Sequence, residues 1–244
     1  MSDPTTRFSD RADDYARFRP SYPRDIVDAV VDGFTQPEVA DLGAGTGISS
    51  RLLADAGARV YAIEPNASMR GEIGDPRIQP IDGTAEATTL GDASLDIVTA
   101  FQSYHWFRPD ETFSEVERIL RRRGRFAAVW NERDEDDAFM REYRAVIAGY
   151  MTDDTEARRG RSRATLLDVY GRRWGNVRVV ERQNLAPVDW DGFVGRTRSS
   201  SYLPREGAAY DAMAAELRAL YERAGDYGGA RFVMLTQAYI AERQ

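Results

Sequence analysis

An acid and three glycines form the part of the sequence best suited to holding a small ligand. Asp41 follows a short apolar run and precedes Gly43, Gly45 and Gly47, after which residues 48–56 have a helix-like pattern. Alternate glycines let the backbone turn sharply and let a ligand approach it closely. The turn leads into a helix N-terminus, where N–H groups lack intrahelical partners. A strand, a glycine loop and a helix in this order usually hold a nucleotide-like ligand.

The spacing of the glycines separates two classes of ligand. A dinucleotide fingerprint requires Gly-x-Gly-x-x-Gly, and its third glycine would fall on Ile48. Asp41 suits the ammonium group of S-adenosylmethionine (SAM) better than a pyrophosphate, because it would repel the negative charge that a helix N-terminus attracts. Glu64 ends the next apolar run, about 20 residues past the glycines, where an acid commonly binds ribose hydroxyls. Glu64 fits either ligand, whereas Asp41 and the glycine register favour SAM over NAD.

Composition narrows the classes of protein and partner. The chain has 244 residues, which suits one α/β domain with insertions, and a formal net charge of −7. Duplex-binding domains are normally basic, so no nucleic-acid partner is expected. No apolar run reaches the length of a membrane span, and the polar N-terminus is unlike a signal peptide, so a cytoplasmic protein is expected. With no cysteine and one histidine, no metal site is expected.

Alternating strands and helices must position these residues. Strands are predicted at about residues 38–42, 59–63, 77–81, 95–101 and 125–130, with helices between them. This alternation predicts an α/β fold whose mostly parallel sheet carries helices on both faces. The helix from residue 109 is predicted to run to about residue 122 and to stop at Gly124, a C′ glycine.

The C-terminal half has a different pattern. Residues 177–185 and 232–240 are predicted to pair as an antiparallel end of the sheet, which makes seven strands. The mainly helical residues between them are predicted to cap the carboxyl ends of the strands, where open α/β sheets bind ligands. Residues 152–163 are predicted to form an exposed loop. The chain is thus divided into a lid with the first helix (1–36), a ligand-binding core (37–135) and a C-terminal half (136–244) that includes the cap (about 187–228).

Several motifs together resemble the class I SAM-dependent methyltransferases. They are the acid and glycine loop from Asp41, the turn Asp82-Gly-Thr-Ala-Glu86, and the segment Gln102-x-x-His105-Trp106-Phe107. Within this class the chain is similar to the type 11 group, which includes small-molecule enzymes similar to trans-aconitate methyltransferase. The resemblance covers about residues 8–131. It implies a Rossmann-like core, SAM as cofactor, S-adenosylhomocysteine (SAH) as product, and no metal.

The resemblance also implies which residues contact SAM. Tyr15 and Arg19 would meet its carboxylate, and Gln102 would lie under its methionine part. The turn at residues 82–86 would cover the adenine, with Thr84 in place of the usual Asp and the backbone N–H of Ala85 as a donor. The complete implied set is Tyr15, Arg19, Asp41, Gly43, Ala44, Gly45, Gly47, Glu64, Pro65, Met69, Thr84, Ala85, Glu86 and Gln102.

On the acceptor side, the same resemblance implicates His105 and Trp106 as the catalytic residues. His105 either takes a proton from an acceptor hydroxyl or amine or only packs the site. Trp130 and Asn131 would reach the acceptor. In the cap, Arg196, Arg198 or Tyr202 would bind an acidic acceptor, and Arg198 and Tyr202 are the predicted pair.

The expected activity is SAM-dependent methylation of a small molecule, at a carboxylate or hydroxyl rather than at an amine or carbon. The alternatives are a SAM-dependent enzyme with a non-methylating reaction and a non-catalytic SAM-binding protein. The sequence does not identify the acceptor, the atom methylated or the pathway. It also leaves open a monomer or a homodimer.

Overall fold

A single mixed sheet organises the chain. The computed structural model describes residues 18–152, 155–175, 177–200 and 202–243, so Tyr15 lies outside the described residues. The strands are β1 (Glu38–Leu42), β2 (Arg59–Ile63), β3 (Ile78–Ile81), β4 (Leu95–Phe101), β5 (Leu120–Arg133), β6 (Val177–Pro187) and β7 (Arg231–Glu242). Their order across the sheet is β3-β2-β1-β4-β5-β7-β6.

The strand directions confirm the predicted Rossmann-like fold. β1, β2, β3, β4 and β5 pair in parallel, whereas β7 runs antiparallel to both β5 and β6. The predicted pairing of residues 177–185 with 232–240 is confirmed by the β6–β7 register, in which Leu185 faces Val233. All the carboxyl ends of the parallel strands therefore meet at one edge of the sheet, where ligands bind in open α/β folds.

Helices connect the strands and cover both faces of the sheet. They are α1 (Arg24–Val31), α2 (Ile48–Asp55), α3 (Ala67–Gly71), α4 (Pro109–Ile119), α5 (Ala138–Ala148), α6 (Thr155–Arg173), α7 (Trp190–Arg198) and α8 (Gly207–Glu222), with 3₁₀ turns at Tyr104–Trp106 and Ala224–Tyr227. Within the described part of the chain, none of these helices has both the length and the apolar character that a membrane crossing requires.

Strand alternation divides the core into two layers. Along β4, Val98 and Ala100 belong to one apolar cluster and Ile97 and Phe101 to the other, as expected when successive side chains point to opposite faces. α4 and α6 cover the first layer, and α1 and α2 cover the second. A third apolar cluster joins α5, α7, α8 and the start of β7. This third cluster holds α7 and α8 beside the sheet edge at which the parallel strands end.

Two boundary predictions are wrong. α4 ends at Ile119, and β5 begins at Leu120 because Leu120 already pairs with Leu95 of β4. Gly124 is consequently a strand residue, and its carbonyl oxygen accepts a hydrogen bond from the backbone N–H of Arg243 (2.8 Å). The local sequence resembles a helix end, but pairing with the distant C-terminal segment decides the conformation.

The predicted loop at residues 152–163 is also wrong from Thr155 onward, because α6 begins there. The later part of this helix buries Leu166, Val169 and Tyr170 in the first core layer. Most helical stability in proteins comes from such packing rather than from propensity. The packing of the apolar second half therefore stabilises the whole helix, including its polar first half.

Candidate cofactor and acceptor site

A cavity lies at the carboxyl ends of the central strands. It opens to solvent. Its walls are formed by the glycine loop, the ends of β4 and β5, the segment before α1, and α7. The lining residues are Arg19, Pro20, Tyr22, Gly43, Ala44, Ile48, Ser49, Phe101, Gln102, Asn131 and Arg196.

The glycine loop is held against the neighbouring strand. Gly43, Gly45 and Gly47 have φ values of +65°, +59° and +79°, a region that favours glycine. The backbone N–H groups of Gly43 and Ala44 donate to the carbonyl oxygen of Ile63 at 2.8 and 3.1 Å. A Cβ on Gly43 would lie 2.7 Å from Cβ of Ser103. Glycine is therefore required at Gly43 by both the backbone angle and the available space.

Asp41 fixes the start of α2. Its carboxylate is fully buried and accepts hydrogen bonds from the hydroxyls of Ser49 (2.6 Å), Ser50 (2.7 Å) and Thr99 (2.8 Å). Burial raises the pKa of Asp41, and the three hydroxyls oppose that rise. The predicted contact between Asp41 and an ammonium group stays a prediction, because all the described hydrogen bonds of this carboxylate go to the protein.

Glu64 bridges the glycine loop and the turn after β2. Its carboxylate accepts hydrogen bonds from the backbone N–H groups of Gly45 (2.8 Å) and Asn66 (2.9 Å). Burial raises the pKa of Glu64, whereas these two N–H donors lower it. The carboxylate thus lies against the loop that is predicted to hold the ligand, and its contact with ribose hydroxyls remains a prediction.

The residues predicted around the ribose and adenine follow β2 and β3. Pro65 follows Glu64, and Met69 is buried in α3, where its backbone N–H donates to the side chain of Asn66 (3.1 Å). Thr84 pairs with Ala87 through two backbone hydrogen bonds of 3.2 Å, which makes the predicted turn. Ala85 is buried within that turn.

Glu86 has a local partner. Its carboxylate accepts a hydrogen bond from the backbone N–H of Arg108 (2.9 Å), just before α4. It therefore links the turn after β3 to the start of that helix, and its predicted contact with the cofactor is untested.

Gln102 lies directly after β4 and lines the cavity. Its φ of +52° is unusual for a non-glycine residue. Its Nε2 donates to the backbone carbonyl of Asn131 (2.7 Å), while Oε1 is buried without a hydrogen-bond partner among the described residues. A buried acceptor without a partner is costly. A ligand that donates a hydrogen bond at this position would remove that cost.

The segment before α1 closes one side of the cavity. Arg19 donates from Nη2 to the backbone carbonyl of Ser199 (2.8 Å) at the end of α7. The ring of Tyr22 packs edge-on against Phe101, with 4.8 Å between centroids. Asn131 donates to the backbone carbonyl of Ser21 (3.3 Å) and accepts a hydrogen bond from the hydroxyl of Thr236. Arg19 and Asn131 therefore both line the cavity, and their predicted contacts with the cofactor and the acceptor stay predictions.

The arginines of α7 point to different sides of the helix, and the predicted acceptor contacts of Arg198 and Tyr202 stay predictions. Arg196 lines the cavity and is buried, whereas Arg198 does not line it. Tyr202 does not line it either, because its buried side chain belongs to the third apolar cluster and its hydroxyl accepts a hydrogen bond from Arg133 (3.2 Å). Helix geometry explains the difference: positions two apart point to different sides of a helix.

His105 and Trp106 follow Gln102 in a 3₁₀ turn. Tyr104 and His105 are buried, Trp106 is half-buried, and the rings of His105 and Trp106 lie 5.0 Å apart. Neither His105 nor Trp106 lines the cavity. Their predicted catalytic roles therefore stay predictions.

Trp130 does not lie where the sequence predicted. It is fully buried in the first core layer, in edge-on contact with Tyr104 and Tyr239. Because neighbouring strand residues point to opposite faces, Asn131 turns to the cavity side and Trp130 turns away from it. Of this pair, only Asn131 lines the cavity.

The cavity fits the amino-acid part of SAM. That part carries an ammonium group, which can donate to the unpartnered Oε1 of Gln102, and a carboxylate, which can accept from the guanidinium groups of Arg19 and Arg196 in the same cavity. Arg–carboxylate pairs are strong and specific. The donors and acceptors present thus match both charged groups of this cofactor.

Sequence reasoning missed two kinds of residue. Ser49, Ser50 and Thr99 support Asp41, and Ser103 donates to the carbonyl of Leu42 (2.6 Å), which ties β4 to β1. The hydroxyls directly after the glycines were a usable signal, since serine is favoured near helix starts. No local pattern distinguishes Arg196 from Arg198, because only the packing of α7 decides which one faces the cavity.

A comparison with protein families identifies the segment that contains most of this site. Residues 40–128 match the family described as "Methyltransferase domain". The matched segment includes the glycine loop, Glu64, Gln102 and the 3₁₀ turn with His105. It ends before Asn131 and does not include Arg19 or Arg196.

Relatives in distant organisms are methyltransferases by name. An uncharacterized methyltransferase of Mycobacterium tuberculosis is 38% identical over 135 residues, which are 54% of this chain and 55% of that protein. An uncharacterized methyltransferase-like protein of Schizosaccharomyces pombe is 32% identical over 146 residues, 57% of each chain. This chain thus spans a little over half the length of these relatives in the aligned region.

Solved structures are similar over nearly the full length. A protein of Anaeromyxobacter dehalogenans, assigned as a type II methyltransferase, superposes with a TM-score of 0.63 at 25% identity and covers 93% of this chain and 97% of its own. The domain match, the named relatives and the shared fold agree with the cavity chemistry. Residues 40–128 are therefore identified as a methyltransferase domain, and the chain is similar to methyltransferases in sequence and in fold.

Proposed function

We propose that this protein transfers the methyl group of SAM to a small-molecule acceptor, at a carboxylate or a hydroxyl. One observation supports this most strongly: the glycine loop, Gln102 and α7 line the same cavity. A cofactor held by the loop and Gln102 would then lie beside α7. A pocket partly closed by α7 and the segment before α1 suits a small acceptor better than a macromolecule.

The residues of this chain would act mainly by positioning. When bound, SAM supplies an electrophilic methyl group on a sulfonium. The glycine loop, Glu64 and Gln102 would hold the cofactor, and the helices beside the cavity would hold the acceptor in line with it. Orientation of this kind contributes up to ~7–11 kcal/mol to rate acceleration in favourable cases. The segment before α1, through Tyr22 against Phe101, would help to keep water out.

The chemistry of the acceptor determines whether His105 is needed as a base. A carboxylate acceptor is already ionised at neutral pH and needs no base. A hydroxyl acceptor must lose a proton, and His105, buried beside Trp106, is the histidine available for that transfer. Arg198 of the cap is the predicted partner of an acidic acceptor, which would gain a charge-assisted hydrogen bond from it.

Methyl transfer is tested with methyl-labelled SAM and a panel of small carboxylic acids and phenols. The proposal expects SAH to form only when a suitable acceptor is added, with the label recovered in that acceptor. Turnover of SAM that leaves the label off every acceptor would instead support a non-methylating reaction. Binding of SAM without any turnover across a broad panel would support a non-catalytic SAM-binding protein.

Replacing His105 with Ala separates the two acceptor chemistries. With a carboxylate acceptor, the rate should change by less than about tenfold, whereas with a hydroxyl acceptor it should fall by about 10²–10⁴ because the base is lost. The measurement is kcat for both acceptor types, with SAH affinity as the check that the cofactor site is intact. A loss confined to SAH affinity would show that His105 only packs the site.

A further inference from the structure

Arg196 is a buried cation without an anionic partner in the part of the chain that the structure describes. It lies on α7, is 9% exposed, and lines the cavity beside the glycine loop. Among the residues that the structure describes, no carboxylate lies within ion-pair distance of its guanidinium, and its Nε has no hydrogen-bond partner. Its guanidinium carbon lies 5.8 Å from the centre of the Phe232 ring. Arginine is almost never buried without a paired group.

The surroundings of Arg196 increase the need for an anion. Burial and the positive charges of Arg19 and Arg133 lower the pKa of Arg196, and the hydroxyls of Tyr143 and Tyr202 oppose this only in part. Arginine nevertheless keeps its proton in proteins. A carboxylate bound in the cavity would offset this unfavourable charge.

Gln102 presents to the same cavity a second polar group that no described residue satisfies. Its Oε1 is buried in the wall of the same cavity and has no hydrogen-bond donor among the described residues. One cavity thus contains an acceptor that needs a donor and a cation that needs an anion. The ammonium and carboxylate of an α-amino acid are separated by a single carbon atom and supply both groups in one ligand.

We propose that Arg196, together with Arg19, binds the carboxylate of the amino-acid part of SAM, while Gln102 accepts from its ammonium group. The assignment rests on the proposed function, because it takes SAM to be the ligand. It adds a cofactor contact from α7, outside the matched methyltransferase domain at residues 40–128. α7 would then contribute to cofactor binding, whereas the sequence assigns this region to the acceptor alone.

Calorimetric titration with SAM and with decarboxylated SAM tests the assignment, since the two differ only in the carboxylate. The wild-type protein should bind SAM at least about 10-fold more tightly. Arg196→Gln should weaken SAM binding about 10- to 100-fold, the cost of a charge-assisted hydrogen bond. It should leave the affinity for decarboxylated SAM within about 3-fold, because that ligand has no group for Arg196 to bind.

A matched control is Arg218→Gln. Arg218 is exposed on α8, where its guanidinium lies 4.8 Å from the centre of the Trp190 ring and pairs with Glu222. This variant also removes an arginine from an aromatic ring, but Arg218 lies outside the cavity. Its affinities for SAM and for decarboxylated SAM should therefore equal those of the wild type. If Arg196→Gln does not fold, Arg196→Lys replaces it and should keep only part of the preference for SAM.

Two results would overturn the assignment alone. One is a wild type that binds SAM and decarboxylated SAM equally. The other is an Arg196→Gln protein with wild-type affinity for SAM. If that variant, saturated with SAH, has also lost the ability to bind succinate, Arg196 binds an acidic acceptor instead. A wild type that binds neither SAM nor SAH would overturn the proposed function itself.

Discussion

Two buried carboxylates support the glycine loop from within the protein. Asp41 accepts from three hydroxyls at the start of α2 and in β4, and Glu64 accepts from two backbone N–H groups. The sequence predicted both positions, because an acid at a strand end next to glycines is a local pattern. It did not predict that their hydrogen bonds would go to the protein, since the donors depend on how neighbouring strands meet.

At the residue scale, Gly43→Ala tests the fit of the loop. The new Cβ would lie 2.7 Å from Cβ of Ser103, at a φ of +65°. The strained φ alone costs about 1–2 kcal/mol, and overpacking adds about 1–3 kcal/mol. We expect a clearly lower midpoint of thermal unfolding and a loss of SAH affinity.

Gly57→Ala is the matched control for Gly43→Ala. Gly57 has a φ of +90°, but nothing lies within 4 Å of the position of its added Cβ. This variant should show only the cost of the backbone angle and should bind SAH normally. Equal losses of stability in the two variants would show that contact with Ser103 has no importance.

At the scale of elements, α7 connects three parts of the chain. Arg19 donates to the backbone carbonyl of Ser199, directly after α7. Phe193 of α7 packs in the third apolar cluster, and Arg196 lines the cavity. The sequence predicted that this region is helical and lies over the site. It could not predict which face of α7 turns inward, because that face is set by contacts with residues far away in the sequence.

Gly195→Ala tests the contact between α7 and the segment before α1. A Cβ at Gly195 would overlap the ring of Phe18, so Phe18 would have to leave its position and Arg19 with it. We expect weaker SAH binding, by about 10-fold if one charge-assisted hydrogen bond is lost.

Gly171→Ala in α6 is the control, because nothing lies within 4 Å of its added Cβ and alanine favours a helix by about 1 kcal/mol. Normal SAH affinity in Gly195→Ala would contradict the proposed role of this contact.

At the scale of the whole molecule, the order of strands and helices was predictable and some boundaries were not. Apolar runs predict the central parallel strands, which bury side chains on both faces, whereas the edge strand β6 is largely exposed and is recognised by its alternating pattern. The start of β5 at Leu120 and the helix from Thr155 depend on pairing and packing with remote segments. The same limit applies to the cavity, whose walls come from Arg19 at one extreme and Arg196 at the other.

The central claim, a SAM site at the carboxyl ends of the parallel strands, is tested most directly by calorimetric titration of the purified protein. SAM, SAH and NAD would be titrated in parallel, and the first two again into Glu64→Ala. The account predicts saturable binding of SAM and SAH with one site per chain, no binding of NAD, and at least about 10-fold weaker binding of both nucleosides without the Glu64 carboxylate. Binding of NAD alone, or of none of the three, would contradict it.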